Sequence, residues 1–172
     1  LRRVLWLDTD TIVQADVTPL FRTPMQHAVA AVVETVLGVF ATYDIAPRMF
    51  RHHFEHELNA WTFFNPGVML VDLQRWRAEN MTSKVESLVR HFLGWRIDTV
   101  ALNLAFVDKI DLLHLEWNVQ GLSTDTNWTE FELALRTAKI LHWHGGEKPW
   151  DPDKPKEFAV NDHLYRAYDC RR

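Results

Sequence analysis

The chain has 172 residues, the length of one domain, and is 47% hydrophobic and 12% aromatic, which suits a packed core and excludes a disordered chain. Its formal net charge of −4 carries none of the basic excess that marks general nucleic-acid binding. A lone cysteine, Cys170, excludes an intrachain disulfide, and no apolar run reaches the ~18 residues of a membrane-spanning helix.

In chain order, the sequence opens at Leu1 on a strand-like run and reads as a fragment lacking an N-terminal part. Val4-Leu5-Trp6-Leu7 predicts a buried strand that delivers Asp8-Thr9-Asp10 at its carboxyl end. Pro19 and Pro24 bracket a short turn or helical piece, and Ala28 to Val33 predicts a second strand. Residues 43 to 60 have poor periodicity and read as loop or short helices. Two strand-like runs, 61–64 and 67–71, are separated by Asn65-Pro66-Gly67, read as a turn. Asp72 to Ala78 reads as helical. Ser83-x-x-Glu86 is a capping box opening a helix with Val85, Leu88, Val89 and Phe92 on one face. Asp98 is a candidate N-cap for a helix through Leu102 and Phe106. Ile140 to His142 predicts a last strand, Gly145-Gly146 and Pro149 a loop, and Asp162 to Tyr168 a final helix. Strands alternating with helices indicate an α/β domain over residues 1–172, with ligands expected at the carboxyl ends of strands.

Asp8 and Asp10 lie at such an end. Residues two apart in an extended segment point the same way, so both carboxylates can address one hard cation, Mg²⁺ or Mn²⁺. The competing reading is a solvated pair at a strand end. A sharper competitor is the first motif of the haloacid dehalogenase-like phosphatases, which Asp8-Thr9-Asp10-Thr11 also matches, with Asp8 as nucleophile and Asp10 as general acid/base. That chemistry needs a later acidic pair; the chain has no Gly-Asp dipeptide, and Asp151-Pro152-Asp153 is the nearest substitute.

His142-Trp143-His144-Gly145-Gly146-Glu147-Lys148-Pro149-Trp150 is the most distinctive stretch. A histidine ending a strand can complete a metal site begun by two carboxylates. The glycines let backbone N–H groups approach a phosphate, and Lys148 can neutralise a diphosphate. A core histidine beside an ordinary surface turn is the alternative.

These segments together resemble glycosyltransferase family 8, in the family's order from residue 4 to about 150. The resemblance runs through Leu5-Trp6-Leu7-Asp8-Thr9-Asp10, Val13 to Asp16, Phe64-Asn65-Pro66-Gly67-Val68-Met69-Leu70 with Leu73 and Trp76, Asp98 to Asn103, Trp117-Asn118, and His142 to Trp150. The Phe-Asn-Pro-Gly version and residues 79–83 are similar to the animal glucosyltransferase-8-domain proteins. The resemblance implies a GT-A fold, here truncated at the N-terminus, and a retaining, Mn²⁺-dependent transfer of a hexose from a UDP-sugar to an acceptor hydroxyl, with Mg²⁺ as an alternative metal. It implies metal ligands Asp8, Asp10 and His142. It places Thr9, Asn65, Pro66, Asp98, Thr99, Gly145 and Lys148 at the donor, with Asp98 the candidate catalytic residue beside the anomeric carbon. The acceptor would be a glycan, a protein or a small molecule. Front-face attack, in which the departing phosphate helps deprotonate the acceptor, is the expected route to retention.

Two departures stand out. Many family members carry Asp-Gln-Asp/Ala where this chain reads Asp98-Thr99-Val100, so the glutamine's role falls to a threonine or to nothing. The family's N-terminal βαβ units, which contact uracil and ribose, lie outside this sequence. Both motivate a third reading, a non-catalytic relative. Trp61, Trp143 and Trp150 lie near the motifs and are candidates for ligand contact, most of the others reading as core or semi-buried packing. His52, His53 and His56, with Asp44 and Arg48, read as a solvated loop at the acceptor entrance. The sequons at Asn80 and Asn127 suit a Golgi lumen for a eukaryotic source, a cytoplasm being expected for a bacterial one. Membrane contact would come only through an anchor outside this sequence.

Overall fold

The computed structural model describes residues 1–35, 63–91, 97–123, 131–146, 148–155 and 161–170, with backbone only at 91, 97 and 98. Its elements are β1 (Arg3–Leu7), β2 (Thr11–Val13), α1 (Thr18–Phe21), β3 (Val29–Val33), β4 (Phe64–Asp72), α2 (Leu73–Ala78), α3 (Met81–His91), α4 (Ile97–Ala105), β5 (Asp111–Leu112), a 3-10 turn (Leu115–Trp117), α5 (Phe131–Thr137), β6 (Ile140–His142) and α6 (Asp162–Arg166).

Four strands form a mixed sheet in the order β1-β4-β3-β5. β4 runs antiparallel to both β1 and β3, and β5 is parallel to β3. Alternate residues serve opposite faces. Leu5, Ala30, Val68 and Leu70 pack with Leu20, Met25, Trp117 and Ile140. Val4, Val29, Ala31, Met69 and Val71 pack with Met81 and Phe106, under Trp76, Val85 and Leu88 of α2 and α3. With both faces covered, β3 and β4 are apolar almost without interruption. β2 and β6 form a separate two-stranded ribbon over a third cluster of Val119, Leu122, Phe131, Leu141 and Trp143.

Several sequence expectations need correction. β1 is an edge of the described sheet rather than a buried strand: Trp6 is 56% and Leu7 36% exposed, and only Val4 and Leu5 reach the clusters. Asn65-Pro66-Gly67 is not a turn. It lies within one nine-residue strand, whose pairing with β3 slips by three residues between Ala31↔Met69 and Val32↔Asn65. Pro66 has no N–H to give a ladder, so it sits where the ladder is interrupted, and the Gly67 N–H turns to Asn65 Oδ1 at 2.9 Å. The turn chemistry is thus spent on a bulge that re-aims side chains without reversing the chain. α3 begins at Met81, ahead of Ser83, because buried Met81 anchors the first turn after Asn80, whose φ is 52°; Ser83 and Glu86 are exposed helical residues. Asp98 lies inside the first turn of α4 rather than capping it. Residues 43 to 60, 61, 62 and 92 fall outside the described residues.

Asp72 joins sheet to helix. Its buried carboxylate accepts from the N–H groups of Gln74 and Arg75 at 3.0 and 3.1 Å, capping α2, and Arg2 and Arg3 approach it at 3.7 and 3.8 Å. Burial opposes the charge, but the Arg75 and Gln74 backbone bonds and the two arginines outweigh it and lower its pKa. Asp72→Ala should cost about 1–2 kcal/mol of stability near neutral pH, the scale of a lost cap. Since the folded pKa lies below the unfolded one, that contribution is complete above the unfolded value of ~3.9 and fades as pH falls through the folded value. Urea unfolding of both proteins between pH 7 and pH 3 checks the convergence.

Candidate metal and donor site

The site starts where β1 ends. Asp8 N–H donates to Gly67 O at 2.8 Å, extending the β1–β4 ladder by one residue. Asp8 O then accepts from Thr11 N–H at 3.2 Å and from the Thr11 hydroxyl at 2.7 Å, which closes a turn over Thr9 and Asp10. The chain re-enters as β2, whose Thr11 pairs with His142 of β6, and Trp143 N–H donates to Asp10 O at 3.0 Å. Asp8 and Asp10 therefore converge through a turn and not through the alternation of an extended strand.

This wiring brings three sequence-distant side chains together. One ligand atom from each of Asp8, Asp10 and His142 lies within 4.8 Å of the others. His142 Nε2 is 3.2 Å from Asp10 Oδ1 and 4.0 Å from Asp8 Oδ2. His142 is buried and Asp10 nearly so, while Asp8 faces out, its Oδ1 accepting from Trp6 Nε1 at 3.0 Å. Lys148 Nζ bonds Asp10 Oδ2 at 2.5 Å and Trp143 O at 2.8 Å. Burial works against the Asp10 charge, but His142 and Lys148 outweigh it and hold the carboxyl well below the usual carboxylate range.

A second polar layer lies behind. His142 Nδ1 is 3.0 Å from Asn118 Oδ1, Asn118 Nδ2 donates to Asn65 Oδ1 at 3.0 Å, and Asn65 Nδ2 donates to Glu34 Oε2 at 2.9 Å. All four residues are buried. His144 Nε2 lies 3.7 Å from Glu34 Oε1; burial lowers its imidazole pKa against the pull of Glu34. Gly67 makes the packing possible: a Cβ there would penetrate His142 Cε1 and sit 2.7 Å from its Nδ1.

The remaining candidates are distributed around this centre. Thr9 is exposed in the turn and Pro66 half-buried in the bulge. Thr99 is half-buried in the first turn of α4, its carbonyl accepting from Asn103 Nδ2 at 2.9 Å. Asn103 also bonds the N–H and carbonyl of Phe64, at 2.8 and 3.0 Å, so it ties the turn bearing Asp98 and Thr99 to the start of β4. The Asp98 side chain is outside the described residues. Gly145 has φ 104°, and a Cβ at Gly145 or Gly146 would meet nothing within 4 Å, so this loop presents open backbone. Trp143 is no ligand candidate: it is fully buried, packed edge-on against Tyr165 at 6.1 Å. Trp150 is 36% exposed. Trp61, Asp44, Arg48, His52, His53 and His56 lie outside the described residues.

The family model described as glycosyl transferase family 8 matches residues 1–154. The chain belongs to that family. Among similar proteins, hexosyltransferase GAUT11 of Arabidopsis thaliana is 30% identical over 158 residues, covering 87% of this chain and 28% of that protein. Glycosyltransferase 8 domain-containing protein 1 of Bos taurus is 26% identical over 172 residues, covering 87% and 46%. The family 8 chain thus spans less than half the length of these two relatives. The crystal structure of the galactosyltransferase LgtC with donor and acceptor sugar analogs superimposes with a TM-score of 0.69 at 20% identity, over 97% of this chain and 60% of that one. The fold is of the GT-A type, as the resemblance implied. The dehalogenase reading is overturned by the family match, and Asp151 and Asp153, its nearest second acidic pair, sit in an exposed turn bonded to each other.

The donor set of this family 8 chain fits a hard divalent cation: two carboxylates and an imidazole converge, and Asp10 Oδ1 is buried with no hydrogen bond of its own. The sequence reading missed Glu34, Gln120 and His144. Glu34 carried the same signal as Asp8, an acidic residue at the carboxyl end of an apolar strand; Gln120, whose Nε2 donates to Val33 O at 3.2 Å, carried none.

Proposed function

We propose that the chain provides the metal and donor-phosphate centre of a retaining glycosyltransferase that moves a hexose from a UDP-sugar to an acceptor hydroxyl. The observation that carries this reading is the convergence of Asp8, Asp10 and His142 at the end of a GT-A sheet. Mn²⁺, or Mg²⁺, held by these three residues would supply positive charge against the nucleotide diphosphate as it leaves. Lys148 brings a second, metal-independent cation to the same place, and the open backbone of Gly145-Gly146 offers N–H groups to phosphate oxygens. The half-buried setting raises the value of each charge by excluding water. Asp98 and Thr99, on the turn that Asn103 ties to Phe64, would hold the donor sugar near C1, and Thr9, Asn65 and Pro66 would contribute from the neighbouring turn and bulge. In front-face transfer the C1–phosphate bond breaks, the acceptor oxygen bonds C1 on the same face, and the acceptor proton passes to the departing phosphate.

The names of the relatives support hexosyl transfer, and the sugar analogs bound by LgtC support a sugar donor and a sugar acceptor. Residues 1–172 would act as one domain. No helix among the described residues is long and apolar enough to cross a membrane. For a eukaryotic source the setting would be the Golgi lumen, where Asn80, exposed in its turn, could accept a glycan.

The test is a panel of UDP-hexoses with the natural full-length protein and Mn²⁺. Release of UDP with a product of unchanged anomeric configuration, seen by proton NMR, is expected. Tight UDP binding with neither transfer nor hydrolysis of any donor would instead support a non-catalytic relative, the reading that Thr99 motivates.

A further inference from the structure

Behind the metal ligands, the buried chain His142–Asn118–Asn65–Glu34 has only one consistent hydrogen-bond polarity. The Gly67 N–H is an obligate donor, and it lies 2.9 Å from Asn65 Oδ1. That fixes which end of the Asn65 amide is oxygen, and its nitrogen correspondingly meets the Glu34 carboxylate at 2.9 Å, a group that accepts when ionised. Asn118 must then present its nitrogen to Asn65 Oδ1, at 3.0 Å, and its oxygen to His142 Nδ1, at 3.0 Å. An oxygen facing Nδ1 demands an N–H there. In neutral His142 the lone pair is therefore on Nε2, the nitrogen that faces Asp10 at 3.2 Å and Asp8 at 4.0 Å.

We infer that Asn118 is a positioning residue: through a relay anchored by Gly67 and Glu34, it sets the tautomer and ring orientation that make His142 Nε2 a metal ligand. The inference rests on the metal reading proposed above and adds Asn118, which is not one of the three metal ligands. A ligating histidine normally gives its other N–H to such a partner, and loss of the partner costs about 10–100-fold in metal affinity. The relay is also sealed. Asn118 has no solvent exposure, and Glu34, Asn65 and His142 have 3%, 4% and 2%, so water cannot replace a missing acceptor at Nδ1.

Two substitutions separate positioning from packing. Asn118→Leu keeps the branched four-atom side-chain skeleton and removes the acceptor. Asn118→Asp keeps an acceptor for Nδ1–H but sets a carboxylate against Asn65 Oδ1. A purely structural role predicts that Asp, a buried charge facing an oxygen, is the worse of the two in every assay. The relay predicts a crossover: Asp unfolds at lower temperature yet binds Mn²⁺ within a few-fold of wild type, while Leu is the more stable and binds about 10–100-fold more weakly. Calorimetric Mn²⁺ titration and thermal unfolding of the natural full-length protein read the two axes. Equal Mn²⁺ affinity of the wild type and the Leu variant would overturn the relay. Should neither variant fold, ¹⁵N-histidine NMR of the wild type with Mg²⁺ decides: His142 protonated at Nδ1 is expected, and protonation at Nε2 would overturn it. If the wild type binds Mn²⁺ no better than Asp10→Ala, the metal reading itself fails and takes the relay with it, whereas wild-type binding that Asn118→Leu leaves unchanged removes the relay alone.

Discussion

Asp10→Ala should lower the rate of UDP release from a UDP-hexose by more than ~100-fold, beyond what loss of an outer-shell partner costs, while the protein stays folded. Asp10 is where the site's interactions meet. His142 Nε2 lies 3.2 Å from its Oδ1, which has no hydrogen bond of its own, and Lys148 holds its Oδ2. Removing the carboxylate takes away a charged member of the proposed metal site and also releases Lys148 from Asp10, leaving the Trp143 carbonyl at 2.8 Å as its hydrogen-bond partner among the described residues. The fold does not depend on this side chain, because the turn is closed by the Asp8 carbonyl and joined to β6 by the Asp10 carbonyl, both main-chain groups that alanine keeps. Comparing UDP release with the thermal transition separates the two effects. Wild-type turnover in Asp10→Ala would mean that the cluster is an ordinary charged turn.

Gly67→Ala should be the most damaging single-methyl change in the site. A Cβ would overlap His142 Cε1 and lie 2.7 Å from Nδ1 and 2.9 Å from Asn65 Oδ1. None of the three can retreat easily: the ring is buried with its Nδ1 bonded to Asn118, and Asn65 is held on three sides by Glu34, the Gly67 N–H and Asn118. Overpacking of this kind costs about 1–3 kcal/mol, and here the strain falls on His142, a proposed metal ligand. The expected result is a lower unfolding midpoint together with loss of Mn²⁺ binding. A second change locates the cause: adding His142→Ala to Gly67→Ala should recover stability, because the clash is removed, and should not recover metal binding. Additive destabilisation in the double variant would contradict a direct Gly67–His142 contact.

Much of this was legible in the sequence because it is local. The apolar runs at Leu5, Val29 and Leu70 marked strands, and Asp8, Asp10 and His142 each stood at a strand end. The errors came from non-local pairing. Asn65-Pro66-Gly67 has the composition of a turn, and only the register against β3 shows that it forms a bulge. Thr11-Ile12-Val13 is too short to read as a strand until β6 is there to pair with it. The Ser83 capping box was outcompeted by burial of Met81, a tertiary contact. Glu34 and Asn118 are 84 residues apart in sequence and share a network through Asn65; neither makes sense without the other. The amide polarity that ties Gly67 to the His142 tautomer is a property of the assembled core.

UDP binding by calorimetry, with and without Mn²⁺, on the natural full-length protein and on Asp10→Ala tests the metal and donor site directly. Mn²⁺-dependent binding that disappears in the variant is the expected result. Binding of equal strength with and without Mn²⁺, unchanged by Asp10→Ala, would contradict it.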